Sequence, residues 1–283
     1  MEYLKSPMNY IGNKYRIIGD IEKYFPSKIN TFTDLFCGGL DVSINTDAKH
    51  TVCNDINNYI IDIYKAFQKH DIQYLLDYID TQIFSYKLSK FDKATYLNFR
   101  NYYNTSRNPL DLYVLMCYSF NYQFRFNSKH EYNNPHGTNR SEFTSVMRSN
   151  LTEFKERIDN YDFESYDFVN YDVNNVKSGD FLYADPPYLL TCGSYNDGKR
   201  GFRGWSENDD FQLFSLLDNV NMNGGKFALS NVSHHKGLVH NSLLEWVNDN
   251  NYNIHKINCN YNNCNYQNKN KKNITQEVLI TNY

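Results

Sequence analysis

The feature that most constrains the fold is an apolar run of strand length that ends in two consecutive prolines. Residues 180–185 have the composition of a buried β-strand, and Pro186, Pro187 and Tyr188 follow directly. A proline has no N–H to donate to a neighbouring strand, so the strand ends there and the chain leaves the sheet in a rigid, extended turn. Ligands of open α/β sheets bind at the carboxyl ends of the strands. The segment therefore predicts an α/β fold with a binding site at this turn.

Other parts of the sequence also alternate between strand and helix patterns. Further apolar runs of strand length lie at 31–36, 51–55, 226–231 and 277–283. A helical pattern begins near residue 40, after the first of these runs, and another spans 207–219, before the run at 226–231. Strands that alternate with helices are typical of α/β proteins, so this order supports the same fold class.

The long stretch between the runs at 51–55 and 180–185 has a different pattern. Apolar residues recur every three or four positions from 59 to 120, and a further helix is predicted at 144–158. A helical domain inserted into an α/β domain explains this order better than two consecutive domains. We therefore predict a Rossmann-like catalytic core with a mixed sheet, interrupted by a mainly helical domain that carries a hairpin. The predicted ranges are 1–60 and 166–283 for the core, 61–165 for the inserted domain and 120–140 for the hairpin.

Composition and charge narrow the class of protein. The chain has 29 Lys and Arg against 32 Asp and Glu, a formal net charge of -3, so a nucleic acid would have to be held by a local basic surface. No apolar run reaches the roughly 18 residues of a membrane span, and the N-terminus lacks the apolar stretch of a signal peptide. The cysteines form no CxxC pair, which argues against a metal site. We predict a cytoplasmic protein with reduced thiols and no metal.

The turn after the strand at 180–185 carries groups that suit an amino group on a flat ring. Asp185 supplies a carboxylate, the prolines Pro186 and Pro187 supply carbonyl oxygens, and Tyr188 supplies an aromatic face. Carboxylate and carbonyl can accept the two N–H bonds of the amino group, and stacking a base on an aromatic ring contributes roughly 1–3 kcal/mol. These four residues are the predicted catalytic residues. A structural turn with a core tyrosine would have the same sequence.

A second pattern lies at the end of the predicted strand 31–36. Cys37 and Gly38 follow Phe36, and a glycine at a strand end lets a ligand come close to the backbone. Asp55 ends the next strand, about 20 residues on, where an acid commonly binds ribose hydroxyls. A plain strand–turn–helix with a solvated Asp55 is the alternative. The chain has no GxGxxG motif, which disfavours a nicotinamide dinucleotide.

Taken in order, these patterns resemble those of a known family. A segment from Tyr10 to Lys14, which alone would be an ordinary helix entry, precedes the loop at 36–38, the strand end at 54–55 and the turn at 185–188. This order resembles the Dam-like adenine-specific DNA methyltransferases, and their phage-type members in particular, over nearly the whole chain. The resemblance implies methyl transfer from S-adenosylmethionine to the 6-amino group of an adenine that is flipped out of double-stranded DNA.

The resemblance also assigns roles to particular residues. The predicted cofactor-contacting residues are Tyr10, Lys14, Phe36, Cys37, Gly38, Asp55, Ile56 and Asp185. The predicted DNA-contacting residues lie in or beside the hairpin and are Asn121, Arg125, Asn127, Pro135 and Arg140. One departure is Leu40, which stands where the family often has a second glycine in its FxGxG loop. Another is Arg140, because the basic residue that follows the family's Pro-x-Gly comes later here, after Thr138 and Asn139.

The expected target sequence follows from the same resemblance. Phage-type members modify adenine in GATC, and Arg125 is the predicted guanine reader because arginine is the usual bidentate partner of guanine. A different or relaxed adenine site is the alternative, and methylation of a cytosine amino group, methylation of a protein amide and DNA binding without catalysis are rival functions.

Further basic residues and the expected partners complete the prediction. The basic groups outside the hairpin are Lys199, Arg200, Arg203, Lys269, Lys271 and Lys272, which face either DNA phosphates or solvent. The expected partners are double-stranded DNA and a cognate restriction endonuclease, in a bacterial or phage-infected cell. The expected oligomeric state is a monomer.

Overall fold

An eight-stranded mixed sheet lies at the centre of the computed structural model, which describes residues 3–191, 204–257 and 275–283. The strands are β1 (Thr31–Asp34), β2 (His50–Asn54), β3 (Tyr161–Glu164), β4 (Phe181–Ala184), β5 (Lys226–His235), β6 (Leu238–Val239), β7 (Asn253–Ile257) and β8 (Thr275–Thr281). Their order is β3-β2-β1-β4-β5-β8-β7, with β6 paired to β5. The strands from β3 to β5 in this order are parallel, whereas β8 is antiparallel to β5 and β7. The predicted α/β class with a mixed sheet is confirmed.

Helices follow the strands and fill the interval between β2 and β3. Among the described residues they are α1 (Ile18–Glu22), α2 (Asn58–Lys69), α3 (Ile72–Tyr86), α4 (Lys93–Ser106), α5 (Pro109–Tyr118), α6 (Ser145–Ile158), α7 (Glu207–Met222) and α8 (Asn241–Asp249). Helices α2 to α5 each begin after an Asn or Asp whose side chain accepts a backbone N–H of the first turn. None of the helices in the described ranges is long and apolar enough to cross a membrane.

Strand β3 lies inside the range 61–165 that the sequence assigned to the inserted domain. It pairs in parallel with β2, with Phe163 opposite Cys53. Phe163 is buried whereas Asp162 and Glu164 on either side are exposed, as expected of an edge strand. The chain therefore returns to the sheet before residue 166. A strand with one buried apolar side chain is too short a pattern to be recognised in the sequence.

The predicted hairpin is present in outline, without a continuous ladder. Antiparallel bridges join Ser119 to His136 and Phe126 to Tyr132. The Phe126 ring stacks on Tyr59 of α2 with 4.3 Å between ring centroids, and both Phe126 and Tyr132 are buried. The hairpin is thus held on the helices by its aromatic side chains.

The order of the strands places two loops side by side. The chain moves from β1 to β2 in one direction across the sheet and from β4 to β5 in the other, so the direction reverses between the neighbours β1 and β4. Asp34 at the end of β1 lies opposite Tyr183 near the end of β4. Because both strands end at the same edge, the loop after Asp34 and the turn after Ala184 flank a single crevice, the usual ligand site of such sheets.

Candidate active site at the carboxyl edge of the sheet

A cluster of charged and hydroxyl groups forms at the turn after β4. The Lys14 ammonium donates to Asp185 Oδ2 at 2.6 Å, and the Tyr188 hydroxyl donates to Asp185 Oδ1 at 2.8 Å. The Tyr188 hydroxyl also lies 3.2 Å from Glu277 Oε1, and Lys14 Nζ lies 3.8 Å from the same oxygen. Burial raises the pKa of the Asp185 carboxyl, the Lys14 charge opposes that rise, and Glu277 adds to it. In this cluster the single ammonium group of Lys14 therefore lies near two carboxylates, those of Asp185 and Glu277.

Each member of this cluster comes from a different part of the fold. Asp185 is the first residue after β4, Lys14 lies just before a 3-10 turn at Tyr15–Ile17, and Glu277 is on β8. Lys14 and Asp185 were predicted to share a site only because of the resemblance to the family. For Glu277 the sequence predicted a place in a strand and no role in the site. The available signal was a single acid in an otherwise apolar terminal strand, where burying a carboxylate is costly unless it has partners.

The loop after β1 is built around Gly38. Its backbone has φ +46°, and a Cβ built there would lie 2.9 Å from Cδ1 of Tyr10. Asp55 Oδ2 accepts the Gly38 N–H at 3.0 Å, and the Tyr64 hydroxyl donates to the Gly38 carbonyl at 2.6 Å. Gly38 therefore connects two other predicted residues: it donates to Asp55, and the Tyr10 ring lies beside its backbone.

Leu40 shows how the loop accommodates the departure from the family's glycine pattern. Its φ of +66° is in the left-handed region that favours glycine, and its side chain is fully buried. The Leu40 N–H donates to the Cys37 carbonyl at 2.7 Å, which closes the turn. A left-handed residue with a side chain costs roughly 1–2 kcal/mol, and burial of the leucine side chain offsets this cost. This turn also explains why the helix predicted from residue 40 is reduced to a 3-10 turn at Ser43–Asn45.

Two further carboxylates lie buried along the same edge. Burial raises the pKa of Asp55 to about 6, although the Asn57 and Gly38 backbone N–H groups oppose the rise. Burial raises the pKa of Asp34 to about 7, while the Ser43 hydroxyl donates to its Oδ2 at 2.5 Å. Asp34 Oδ1 has no hydrogen-bond partner among the described residues. The edge is therefore an acidic environment that favours a positively charged ligand.

The other predicted cofactor residues follow the ends of β1 and β2, and their role stays a prediction. Ile56 is 41% exposed beyond the end of β2. The Phe36 ring packs against Phe168 and Trp205 at centroid distances of 5.4 and 5.7 Å. Cys37 is buried, and burial raises the pKa of its thiol, which disfavours a role as a nucleophile.

The hairpin presents some predicted DNA-contacting residues to solvent. Arg125 is exposed between the buried Phe124 and Phe126, because successive side chains of an extended segment alternate in direction. Pro135 and Arg140 are exposed as well. A basic, exposed hairpin surface is compatible with the predicted role of these residues, which stays a prediction.

Two predicted hairpin residues have structural roles in addition. Asn127 closes the hairpin tip, since its side chain bonds the backbone N–H groups of Lys129 and Glu131 at 2.9 and 3.0 Å. Asn121 has a left-handed backbone with φ 54°, and its carbonyl accepts the Asn9 side-chain amide at 2.6 Å. This contact ties the base of the hairpin to the segment that leads into Tyr10.

The remaining predicted basic groups lie outside the described residues. They are Lys199, Arg200, Arg203, Lys269, Lys271 and Lys272, and the cysteines Cys192, Cys259 and Cys264 lie outside them too. In the described ranges, no group of three or more His, Cys, Asp or Glu side chains is arranged to hold a metal ion.

Comparison with known proteins decides the family. The family described as D12 class N6 adenine-specific DNA methyltransferase matches residues 10–263. The chain belongs to this family. It is 46% identical over its whole length to the modification methylase StsI of Streptococcus sanguinis and 44% identical over 99% of its length to the type II methyltransferase M.FokI of Planomicrobium okeanokoites. It spans 43% of the length of each of these two relatives. A DNA adenine methylase of Escherichia coli K12 is 24% identical over 67% of this chain and 66% of the relative.

Membership of the D12 class makes S-adenosylmethionine the cofactor, and the crevice fits it. A Cβ at Gly38 would collide with the Tyr10 ring, so the glycine allows this aromatic side chain to pack directly on the backbone of the loop. The buried carboxylates Asp34, Asp55 and Asp185 complement a cofactor that carries an ammonium and a sulfonium group. The predicted residues that would hold it surround the crevice.

Asp55 gives a pH-dependent prediction for cofactor binding in this D12 enzyme. The deprotonated carboxylate is the form that accepts ribose O–H bonds, and its pKa is raised to about 6. Cofactor affinity should therefore fall as the pH drops through about 6 and level off above about 7, because below that pKa the proton must first be removed. Calorimetric titration of S-adenosylhomocysteine over this range checks the slope.

The matched variant is Asp55→Asn, which should bind the cofactor about 10- to 100-fold more weakly at neutral pH and show a flatter pH dependence. Its affinity for DNA and its unfolding temperature are the controls. Equal cofactor affinities in the two proteins would show that Asp55 only supports the Gly38 loop.

Proposed function

We propose that the chain is a site-specific DNA methyltransferase that moves a methyl group from S-adenosylmethionine to the 6-amino group of adenine in double-stranded DNA. The observation that carries the proposal is the Asp185 carboxylate at the end of β4. It lies in the crevice at the reversal of the strand order, between Lys14 and Tyr188, in a chain that belongs to the D12 class. Methylation of a protein amide and DNA binding without catalysis do not fit that membership.

The chemistry follows from the groups at this turn. The amino group of adenine is a poor nucleophile because its lone pair is delocalised into the ring. Asp185 and the Pro186 carbonyl accept its two N–H bonds, which returns electron density to the nitrogen and orients it for attack. Tyr188 stacks on the base. The cofactor supplies an electrophilic methyl carbon on a sulfonium leaving group, and the reaction needs no covalent enzyme intermediate. The Asp185 carboxylate, which accepts one of these N–H bonds, is the proposed acceptor for the proton that the nitrogen gives up.

The target base must leave the DNA helix to reach this crevice. Extrusion of a base costs a few kcal/mol of stacking and pairing, so the protein must hold the displaced strand and the flipped base. The inserted helical region with its hairpin is the proposed DNA-binding domain, and the contact between Asn9 and Asn121 connects it to the segment that carries Tyr10 and Lys14. Catalysis is then mainly positioning and electrostatics.

The target sequence has two candidates. GATC is the target that the resemblance to phage-type Dam enzymes predicts. A different or relaxed adenine site is supported by the higher identity to two type II modification enzymes, 46% and 44%, than to the Escherichia coli adenine methylase, 24%. The same relatives support a cognate restriction endonuclease as a partner. Incubation of the protein with unmethylated DNA and cofactor, followed by mapping of every modified base, decides between the targets. A nucleoside digest separates N6-methyladenine from the cytosine product.

Arg125 is the variant that tests recognition by the hairpin. Loss of a bidentate contact to guanine costs about 1–3 kcal/mol, so Arg125→Ala should lower discrimination at one base pair by roughly 5- to 150-fold. The matched control is Lys129→Ala at the exposed tip of the same hairpin, which should weaken all sites alike if it contacts a phosphate. Competition assays with single-base variants of the mapped target measure both effects. An Arg125→Ala enzyme with unchanged discrimination would exclude base reading by this side chain.

A further inference from the structure

We propose that Glu277 is a positioning residue. When Asp185 binds the amino group of the substrate, Glu277 accepts the hydrogen bond of the Tyr188 hydroxyl and balances the positive charge of Lys14. The inference rests on the proposed function, because it concerns the step in which Asp185 engages the target base. It adds a residue of the last strand to the site, for which the sequence predicted Lys14 and the turn at 185–188.

Both oxygens of the Asp185 carboxylate are already engaged. Lys14 Nζ donates to Oδ2 at 2.6 Å and the Tyr188 hydroxyl donates to Oδ1 at 2.8 Å. Each carboxylate oxygen can accept a second hydrogen bond, but the Tyr188 hydroxyl then competes with the N–H of the amino group for Oδ1, and the bond to the substrate is stronger when the hydroxyl turns away. Leaving a buried hydroxyl without an acceptor is costly, so the release needs a second acceptor close by.

Glu277 is that second acceptor for Tyr188. The hydroxyl has a single hydrogen, and Glu277 Oε1 lies 3.2 Å from the oxygen, against 2.8 Å for Asp185 Oδ1. A rotation of the O–H bond moves the hydrogen bond from one carboxylate to the other without moving the aromatic ring. The ring can therefore remain in place to stack on the base while Asp185 Oδ1 becomes available.

The same residue keeps Lys14 compensated. The Lys14 side chain is 8% exposed and those of Asp185 and Glu277 are 18% and 3% exposed, so the three charges are largely removed from water. A buried ammonium that loses a carboxylate partner is strongly destabilised unless another negative charge compensates it. Glu277 Oε1, at 3.8 Å, provides the second negative charge that allows Asp185 to share its own with the substrate.

The sheet holds Glu277 firmly at this point. Strand β8 is paired on both sides, and Glu277 lies opposite Val232 of β5 and Ile257 of β7. Its neighbours Val278 and Leu279 along the strand are buried apolar residues. The backbone that carries this carboxylate is paired on both sides, beside a register shift between Val232 and His234 in the β5 ladder, and the side chain reaches the hydroxyl and the ammonium of the site.

Two variants separate the acceptor from the charge. Glu277→Met removes the hydrogen-bond acceptor and the negative charge, and its side chain is of similar size. Glu277→Gln keeps an oxygen acceptor and removes only the charge. We expect Glu277→Met to lower kcat by about tenfold or more, with KM for DNA and the dissociation constant of the cofactor changed by less than about threefold. Glu277→Gln should lose clearly less kcat than Glu277→Met, about threefold to fivefold, since it still accepts the Tyr188 hydroxyl but no longer compensates the Lys14 charge. Unfolding temperature and calorimetric cofactor titration accompany the kinetics.

The pH profile gives a readout that a purely structural role would not change. The titratable groups that interact with Asp185 include Lys14, Tyr188 and Glu277, together with Asp34 on β1 and Tyr183 on β4. The negative charge of Glu277 contributes to the raised pKa of Asp185. Glu277→Gln should therefore shift the acid limb of the kcat profile to lower pH, because Asp185 then loses its proton more readily.

The outcomes separate this proposal from the proposed function. A wild-type enzyme that modifies DNA, together with a Glu277→Met enzyme of unchanged kcat, would overturn the role of Glu277 and leave the function standing. A loss of kcat that is equal in the Gln and Met variants, or that follows a fall in unfolding temperature, would also overturn it. Absence of methyl transfer by the wild-type protein would count against the function itself.

Discussion

Asp185→Ala is expected to lower the rate of methyl transfer by about 10³-fold or more, comparable to or larger than the loss of a charge-stabilising donor in other enzymes. We propose that this carboxylate accepts an N–H of the reacting amino group, and Glu277 lies near enough to share its partners Lys14 and Tyr188. Glu277 is held by the sheet on β8, so it cannot take the place of Asp185 at the end of β4. Single-turnover assays with saturating DNA and cofactor measure the effect on the chemical step.

The control for this prediction is Asp185→Asn, which keeps the size of the side chain and the bond to the Tyr188 hydroxyl but lacks the charge. We expect Asp185→Asn to retain more activity than Asp185→Ala and to be well below the wild type, because an amide oxygen is a weaker acceptor than a carboxylate. Circular dichroism and thermal unfolding establish that both variants fold. Turnover by a folded Asp185→Ala enzyme near that of the wild type would rule out the mechanism.

Gly38→Ala is expected to weaken cofactor binding by about tenfold or more, since a left-handed alanine costs roughly 1–2 kcal/mol before any collision is counted. The added methyl group would lie 2.9 Å from Cδ1 of Tyr10 and 3.3 Å from Cε1, closer than side chains normally approach. Tyr10 cannot move freely, because its hydroxyl accepts the Asn57 side-chain amide at 3.3 Å. The substitution therefore disturbs the face of the loop that we propose holds the cofactor.

A matched substitution separates backbone strain from the collision with Tyr10. Gly237 in the turn between β5 and β6 has φ +85° and no atom within 4 Å of a built Cβ. Gly237→Ala should therefore carry the backbone cost without the collision, and leave the affinity for S-adenosylhomocysteine unchanged. Calorimetric titration and thermal unfolding of both variants provide the comparison. If both variants bind the cofactor as the wild type does, the Gly38 loop is not part of the cofactor site.

Some elements of the fold could be predicted because their signals are local. The prolines after Ala184 end β4 wherever the strand lies in the sheet, since the missing N–H groups belong to the residues themselves. The apolar spacing from 59 to 120 likewise predicts helices α2 to α5 without knowledge of their partners. The short strand β3 was missed because its place in the sheet depends on pairing with β2. A single buried residue, Phe163, is not enough to predict that pairing from the sequence.

The candidate site divides in the same way. The sequence by itself determined the residue types at the strand ends, among them Gly38, Asp55 and Asp185, because turns and strand ends are specified over a few positions. Only the tertiary structure decided that Glu277 joins Lys14 and Tyr188, since these residues come from the last strand, the N-terminal segment and the turn after β4. It also decided that Leu40 adopts the left-handed backbone in place of a glycine. The contact between Lys14 and Asp185 spans 171 residues of sequence, and contacts at that separation depend on strand order and register, which no local pattern contains.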